Sequence, residues 1–537
     1  VSHDLDAIER SAVWAAWGDA LGFITELAGA SEVRRRAGAS YVDDLVVWQR
    51  RVGGRQGATV ELPAGALSDD TLLRFAVGRC IRSNGRFDAD AFTKVELPTF
   101  LAYELGAGRG TKAAARAYTK RGTRFYNSFW EDNGSRYVDG GGNGAAMRIQ
   151  PHVWAAREHH PDDFVAGVLL DAITTHGHPR GFLAAVFHAL CLSDVLRQDR
   201  LPDAQRARDL ARYLLRVPAI IESNELLREQ WLPRWNQQAG ISVEAAVRET
   251  VGEITEALEV VHGRYSLSIQ DDYPQLVRML GGHNPKTRGA GTITAVLALA
   301  LAQRFTSEPA GGLAFAVNEL GSDTDTIATM AGALLGPLVP EMPRTRPMDF
   351  EYIKGEARRL FRISRGEPAE DFPHPDPLTW SPPRRQVDVV VLSDEALHVL
   401  GLGPVEELSG LWLGGGRNSD SGWQWVRTSF GQSILVKRRL EPETRGVEIE
   451  PSLAMGVFDS PLPSRTQTTD EDGAFEVMVA LREARESGLD DAVIGRLVKR
   501  LGTQAPYFVA LLVDEIRGQP DSGGGALRLR SVRPGKV

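Results

Sequence analysis

Between residue 6 and about residue 365 one pattern returns again and again: alanine-rich stretches whose apolar positions fall three and four residues apart. In AIERSAVWAAWGDALGFITELAG the spacing runs Trp14, Trp17, Leu21, Ile24, Ala28, the stripe of a helix face. FVAGVLLDAITTHG, GFLAAVFHALCLSDVL, AQRARDLARYLLRV, EAAVRETVGEITEALEVVH and ITAVLALALAQRF repeat it. Several are apolar nearly all round, which suits helices buried inside a large body rather than lying on its surface. The expected fold of residues 1–372 is therefore all-α.

At 373–386, PHPDPLTWSPPRRQ, five prolines break the pattern. Such a run reads as an extended linker or a domain edge. Beyond it, VDVVVL and the pair SGWQWVRTSF and SILVKRRL read as strands, with Gly431-Gln432 as a two-residue hairpin turn. Helical patterns return at 471–487, 489–501 and 505–517, so 387–518 is expected to be a smaller α+β domain. The glycine-rich, then basic stretch 519–537 is expected to be disordered.

The formal charge of −8 and pI near 5.9 lack the basic excess of a nucleic-acid binder. Cys80 and Cys191 are the two cysteines, too few for a disulfide framework or a zinc cluster, and both sit in apolar stretches. The apolar run Ala295 to Ala302 is far shorter than the ~20 residues of a membrane span. No basic-then-apolar signal pattern opens the sequence. These features predict a reducing, cytoplasmic setting away from membranes.

Two short clusters crowd oxygen atoms at the start of a helix pattern. Ser68-Asp69-Asp70-Thr71 precedes LLRFAVGRC, and GSDTDT, containing Asp323, Asp325 and Thr326, precedes IATMAGALLG. Capping explains one such cluster, because Ser, Thr and Asp satisfy free N–H groups and suit the helix dipole. It does not require paired carboxylates twice. Hard divalent cations do want several oxygen ligands. An EF-hand is excluded, since the sixth and twelfth positions from Asp323 are Ala328 and Leu334. An aspartyl-phosphate phosphatase would place Asp323 after a hydrophobic strand, yet AFAVNELGS reads as helix and turn.

Three further stretches have functional potential. The glycine loop Gly140-Gly141-Gly142-Asn143-Gly144-Ala145-Ala146-Met147-Arg148 can offer backbone N–H groups to phosphate. In Thr175-His176-Gly177-His178-Pro179 no third nitrogen or sulfur ligand is nearby, so a hydrogen-bonding or stacking histidine is expected. Gly18-Asp19-Ala20-Leu21-Gly22 sets a carboxylate in an apolar helix, with Glu26 beyond it. A buried acid needs a partner, so Asp19 is either a structural acceptor or faces a polar pocket.

In this order, GDALGFITE, SDDT, GNGAAMR, THGHP and GSDTDTIATMAGALLG resemble the ADP-ribosylglycohydrolases, including the type that reactivates dinitrogenase reductase. The resemblance covers about residues 6–365. It implies an orthogonal all-α fold with two Mg²⁺ or Mn²⁺ ions held by Ser68, Asp69, Asp70, Asp323, Asp325 and Thr326. Ser68 departs from the threonine usual in the family but keeps the hydroxyl. Glu26 falls where some members carry a catalytic or gating glutamate, and Asp70 and Asp325 are expected to share the catalytic work. Gly142, Asn143, Gly144, Ala145 and Met147 would line the diphosphate and distal ribose, with His176 beside the bound ADP-ribose. The implied activity is hydrolysis of the glycosidic bond at C1″ of ADP-ribose by a monomer acting on an ADP-ribosylated protein or other acceptor. A catalytically silent ADP-ribose-binding or structural relative is the alternative.

Overall fold

The first helix, Leu5–Thr25, is buried along almost its whole length, and the reason lies in its glycines. The computed structural model describes residues 5–54, 57–263, 269–414 and 420–445 of the chain. In it, Leu5–Thr25 lies backbone against backbone on the helix Thr324–Leu335. A Cβ on Gly18 would sit 2.5 Å from the Ala328 carbonyl oxygen, and one on Gly22 2.4 Å from Asp325 Cα. From the other side, a Cβ on Gly332 would meet the Trp14 oxygen at 2.3 Å. Hydroxyls lock the register: Ser11 Oγ donates to Ala333 O (2.8 Å), Thr329 Oγ1 to Ala15 O (2.7 Å) and Thr324 Oγ1 to Gly22 O (3.1 Å). Glycine within a helix costs about 0.5–1 kcal/mol relative to alanine. Here it permits the approach that brings Asp19 and Asp325, on neighbouring turns, into one place.

Around this pair the all-α body is built as the periodicity predicts, with helices at Pro161–Thr175, Pro179–Gln198, Val243–His262 and Gly291–Arg304. Pro179–Gln198 is long and apolar enough to cross a membrane, but its residues are almost all covered by neighbouring helices, the mark of a core helix. Cys80 and Cys191 are buried free thiols. Two hairpins depart from the helical expectation: strands Trp48–Val52 and Ala58–Leu62 pair antiparallel, as do the two-residue strands Glu131–Asp132 and Ser135–Arg136.

After the helices comes an antiparallel sheet. Its strands run in the spatial order Ser433–Arg439, Ser421–Thr428, Gly403–Glu407, Ala396–Val399, Val390–Ser393, and Trp412–Leu413 pairs with Ser421–Thr428. The hairpin turn differs from the Gly431-Gln432 expectation. Ser433 pairs with Arg427, and Thr428 N–H donates to Gln432 O, so the loop is Ser429-Phe430-Gly431. Gly431 takes the positive φ of 103° that closes it. The helical patterns expected at 471–517 and the tail 519–537 lie outside the described residues.

The proline-rich stretch is packed against the helices. The helices and the described strands lie within one compact unit, Val1–Met455. His374 Nε2 lies 2.8 Å from Glu96 Oε1, and Gln386 Nε2 donates to the Leu101 and Ala102 carbonyls. Glu96 also takes both arms of the buried Arg79 guanidinium (2.7 and 2.8 Å), which donates on to Gln432 Oε1 (2.6 Å) and lies over the adjoining Phe372 and Phe430 rings. Prolines suit this edge because an extended segment without N–H donors can cover a surface without needing a sheet partner.

Candidate active site

Ser68 caps the helix Asp69–Arg79, accepting from Asp70 N–H (3.2 Å), so the capping reading holds for the hydroxyl. The carboxylates are another matter. Asp19 reaches across from the first helix and accepts from Ser68 Oγ (2.5 Å), Ser68 N–H (3.2 Å) and Thr71 N–H (3.1 Å). Asp19 is thus both things that were weighed for it: a structural acceptor that anchors the SDDT turn, and a group in the polar pocket. Carboxylate oxygens of Asp19, Asp70 and Asp325 all lie within 4.8 Å of one another, each residue buried. Asp70 Oδ1 is buried with no hydrogen-bond partner. Asp325 Oδ1 accepts the N–H of Thr326 (3.0 Å), whose own side chain is buried beside it. This acidic cluster fits a metal ion, since an orphaned buried carboxylate oxygen among like charges lacks only a cation.

The other site residues surround the cluster. Asp69 donates its N–H to Leu105 O (2.9 Å) and turns its carboxylate toward Gly106, where an added Cβ would lie 2.7 Å from Asp69 Oδ1 and 3.7 Å from Glu26 Oε2. Asp323 Oδ2 accepts from Asn143 Nδ2 (3.0 Å), and Asn143 N–H donates to Gly289 O. The glycine loop is thereby pinned to the second acidic cluster. It enters a short 3-10 turn, Ala146–Arg148, holding Met147 and Ala145 buried beneath. Gly144 faces His176, where a Cβ would come within 3.1 Å of Cε1, and Gly142 lies next to the same imidazole.

His176 stays neutral. Burial and the Arg148 guanidinium lower its pKa to about 3. Arg148 Nη2 donates to Thr175 Oγ1 (3.0 Å), and Thr175 Oγ1 lies 2.7 Å from His176 Nδ1. Nδ1 is thus engaged by the Thr175 hydroxyl, and Nε2 faces the glycine loop, 3.6 Å from where a Cβ on Gly142 would lie.

Arg74 was not foreseen. It is fully buried one turn along from Asp70, where the pattern LLRFAV suggested only core. Its guanidinium donates to Met147 O (3.0 Å), Thr329 Oγ1 (2.6 Å), Gln150 Oε1 (2.9 Å) and Thr71 Oγ1 (3.3 Å). One cation thus ties the SDDT helix to the glycine loop and to the GSDTDT helix. The signal was available, since a charged residue on an otherwise apolar helix face must find partners.

Burial raises Asp69, Asp70 and Asp325 well above the usual carboxylate range. Neighbouring carboxylates add to it: Glu26 most for Asp69 and Asp325, Asp19 most for Asp70. Asp19 is raised by burial too, but its bonds from Ser68 and Thr71 oppose the rise. Burial pushes Glu26 up to about 7, with Arg50 pulling the other way and Asp323 adding repulsion. A raised acid stabilises the fold while it holds its proton. That contribution is complete below the ordinary carboxylate pKa and is lost as pH rises through the raised value. The ion-free protein should therefore melt at progressively lower temperature as pH is raised from about 5 to about 8. Added Mn²⁺ should flatten that slope, because a bound cation takes the place of the protons. Melting curves with chelator and with Mn²⁺ across this range check both statements.

Residues 6–346 match the family model described as ADP-ribosylglycohydrolase. The chain belongs to that family. The matched span holds all five motifs and every acidic residue of the cluster. A curated family relative, the ADP-ribosyl-[dinitrogen reductase] glycohydrolase of Rhodospirillum rubrum, is 29% identical over 165 residues, which are 30% of this chain and 49% of that protein. The chain thus aligns with about half the length of the curated relative. A solved structure described as an ADP-ribosylglycohydrolase-related protein complex aligns at 20% identity with a TM-score of 0.41, over 68% of this chain and 100% of that one.

Proposed function

We propose that this protein hydrolyses the glycosidic bond at C1″ of ADP-ribose, freeing ADP-ribose from a modified protein or other acceptor, as a monomer that uses two Mg²⁺ or Mn²⁺ ions. The observation that carries the reading is the buried trio Asp19, Asp70 and Asp325, drawn from three helices to within 4.8 Å, with Asp70 Oδ1 unpartnered. A purely structural core would not gather carboxylates that raise one another's proton affinity. The ligand set we assign is Ser68, Asp69, Asp70, Asp323, Asp325 and Thr326. Cations held there would supply Lewis-acid polarisation of the ribose hydroxyls and of a water.

The remaining groups orient and move protons. Asp19 holds Ser68 and the first turn bearing Asp70 in place, and Asn143 does the same for Asp323. The loop Gly142–Met147 offers a surface without side-chain bulk to the diphosphate and distal ribose. His176, neutral, lies beside it. Cleavage passes through an oxocarbenium-like state in which water attacks C1″ as the acceptor leaves. Glu26, with proton affinity raised to about 7, can take the water's proton or return one to the leaving group near neutral pH.

Glu26→Gln should therefore lower turnover by about 10²–10⁴-fold, the usual contribution of a general acid or base, while ADP-ribose affinity stays within a few-fold. Single-turnover release of ADP-ribose together with calorimetric binding reads both. Unchanged turnover would remove Glu26 from the mechanism.

A further inference from the structure

The hairpin Trp48–Leu62 presents alternate residues inward, and the inward set is Trp48, Arg50, Val52, Ala58, Val60 and Leu62. All but one are buried apolar side chains. Arg50, paired across from Val60, is a guanidinium where the alternation calls for an apolar group. Its side chain is 24% exposed. It lies over the Phe23 ring at 4.6 Å, and its Nη1, buried and without a hydrogen bond, stands 3.6 Å from Glu26 Oε2. Phe23 and Glu26 both follow the GDALG turn, so the hairpin brings a cation to the side chain that ends the first helix's approach to the acidic cluster.

The rest of the hairpin is held rigidly. Trp48 packs edge-on against Phe23 (5.2 Å), and Arg36 lies over the Trp48 ring (5.0 Å) while donating to the Ile24 and Glu26 carbonyls. The C-terminal sheet touches the hairpin near both ends. Trp425 Nε1 donates to Glu61 O (2.9 Å), and Trp423 abuts Gly53, where an added Cβ would lie 3.2 Å from the indole nitrogen. A charge maintained on the inward face, stacked and braced from behind, has a use there beyond packing.

We propose that Arg50 is a positioning residue for Glu26: its guanidinium restrains the Glu26 carboxylate at the cleft, and the C-terminal sheet serves catalysis by bracing the hairpin that carries Arg50. This rests on the role given to Glu26 above. The 3.6 Å separation is of the kind that tightens when substrate orders a site. Misplacing a reacting group by about 1 Å costs on the order of 10²-fold, which sets the scale of the expected effect.

The test is a double-mutant cycle in the full chain, with Arg50→Met, Arg50→Lys, Glu26→Gln and the Arg50→Met/Glu26→Gln pair. Methionine matches the apolar surroundings, so Arg50→Met should melt no lower than the parent protein. We expect its kcat to fall about 10–10²-fold with KM changed less than about three-fold, and Arg50→Lys to recover part of the loss. In the Glu26→Gln background, Arg50→Met should have no further effect. A structural role would instead give additive losses or a lowered melting temperature, and either outcome overturns the proposal. If Glu26→Gln alone leaves kcat unchanged, the role of Glu26 fails. If it lowers kcat but Arg50→Met does not, Arg50 alone fails.

Discussion

Replacing Asp70 or Asp325 by asparagine, one at a time, is expected to lower ADP-ribose release on the order of 10³-fold and to raise the melting temperature of the ion-free protein. The two changes have one origin. Each carboxylate is buried among others and is pushed well above the usual carboxylate range by burial and by its neighbours. An amide of the same shape carries no charge to repel them, so the folded state gains when no cation is bound. Activity moves the other way, because a neutral amide is a poor ligand for a hard divalent cation. A single preorganised electrostatic group lost from an active site costs about 10²–10³-fold, and a ligand shared within a cluster should lie at or beyond the top of that range. Asp19→Ala is the control with the opposite stability sign. It removes the acceptor of Ser68 Oγ, Ser68 N–H and Thr71 N–H, and losing such a cap costs about 0.5–2 kcal/mol. Thermal melts in chelator paired with turnover assays separate the two behaviours.

A chain ending at residue 372 is expected not to fold stably, although its missing part begins at a proline run that reads as a linker. Truncation removes His374 from Glu96 and Gln432 from Arg79, leaving the paired charges open on one side. It also removes Trp423 and Trp425, which are buried against the hairpin end of the helical body. Removing one buried tryptophan side chain typically costs about 3–5 kcal/mol, comparable with much of the ~5–15 kcal/mol that holds a domain together. A chain ending at residue 455, the end of the compact unit, should by contrast keep a cooperative melt. Parallel expression and melting of the two truncations decides the point. A soluble, cooperatively melting 1–372 chain would show that the sheet is an independent appendage.

Local chemistry was legible and long-range pairing was not. The helices announced themselves because their apolar spacing is a property of neighbouring residues. The two acidic clusters stood out for the same reason, and structure places Asp70 and Asp325 together as the spacing could not. What escaped were residues whose meaning depends on a partner far along the chain. Asp19 and Ser68 are 49 positions apart, so whether Asp19 was a structural acceptor or faced a pocket could not be decided from its own segment. Arg74 was absorbed into an apolar run, although its partners Met147 and Thr329 make it the joint between three motifs. The Trp48–Leu62 hairpin was hidden because Arg50 interrupts the very alternation by which a strand is recognised. The stretch 373–386 was legible in part. Proline content reports that a segment is extended, and says nothing of what it lies against.

The central claim is that the acidic knot holds divalent cations for hydrolysis at C1″. It is tested most directly by measuring ADP-ribose release from a mono-ADP-ribosylated protein with the full chain, first after exhaustive chelation and then with Mg²⁺ or Mn²⁺ restored. Release should disappear with chelation and return with either cation in the parent protein but not in Asp70→Asn. Full release in the presence of chelator would contradict it.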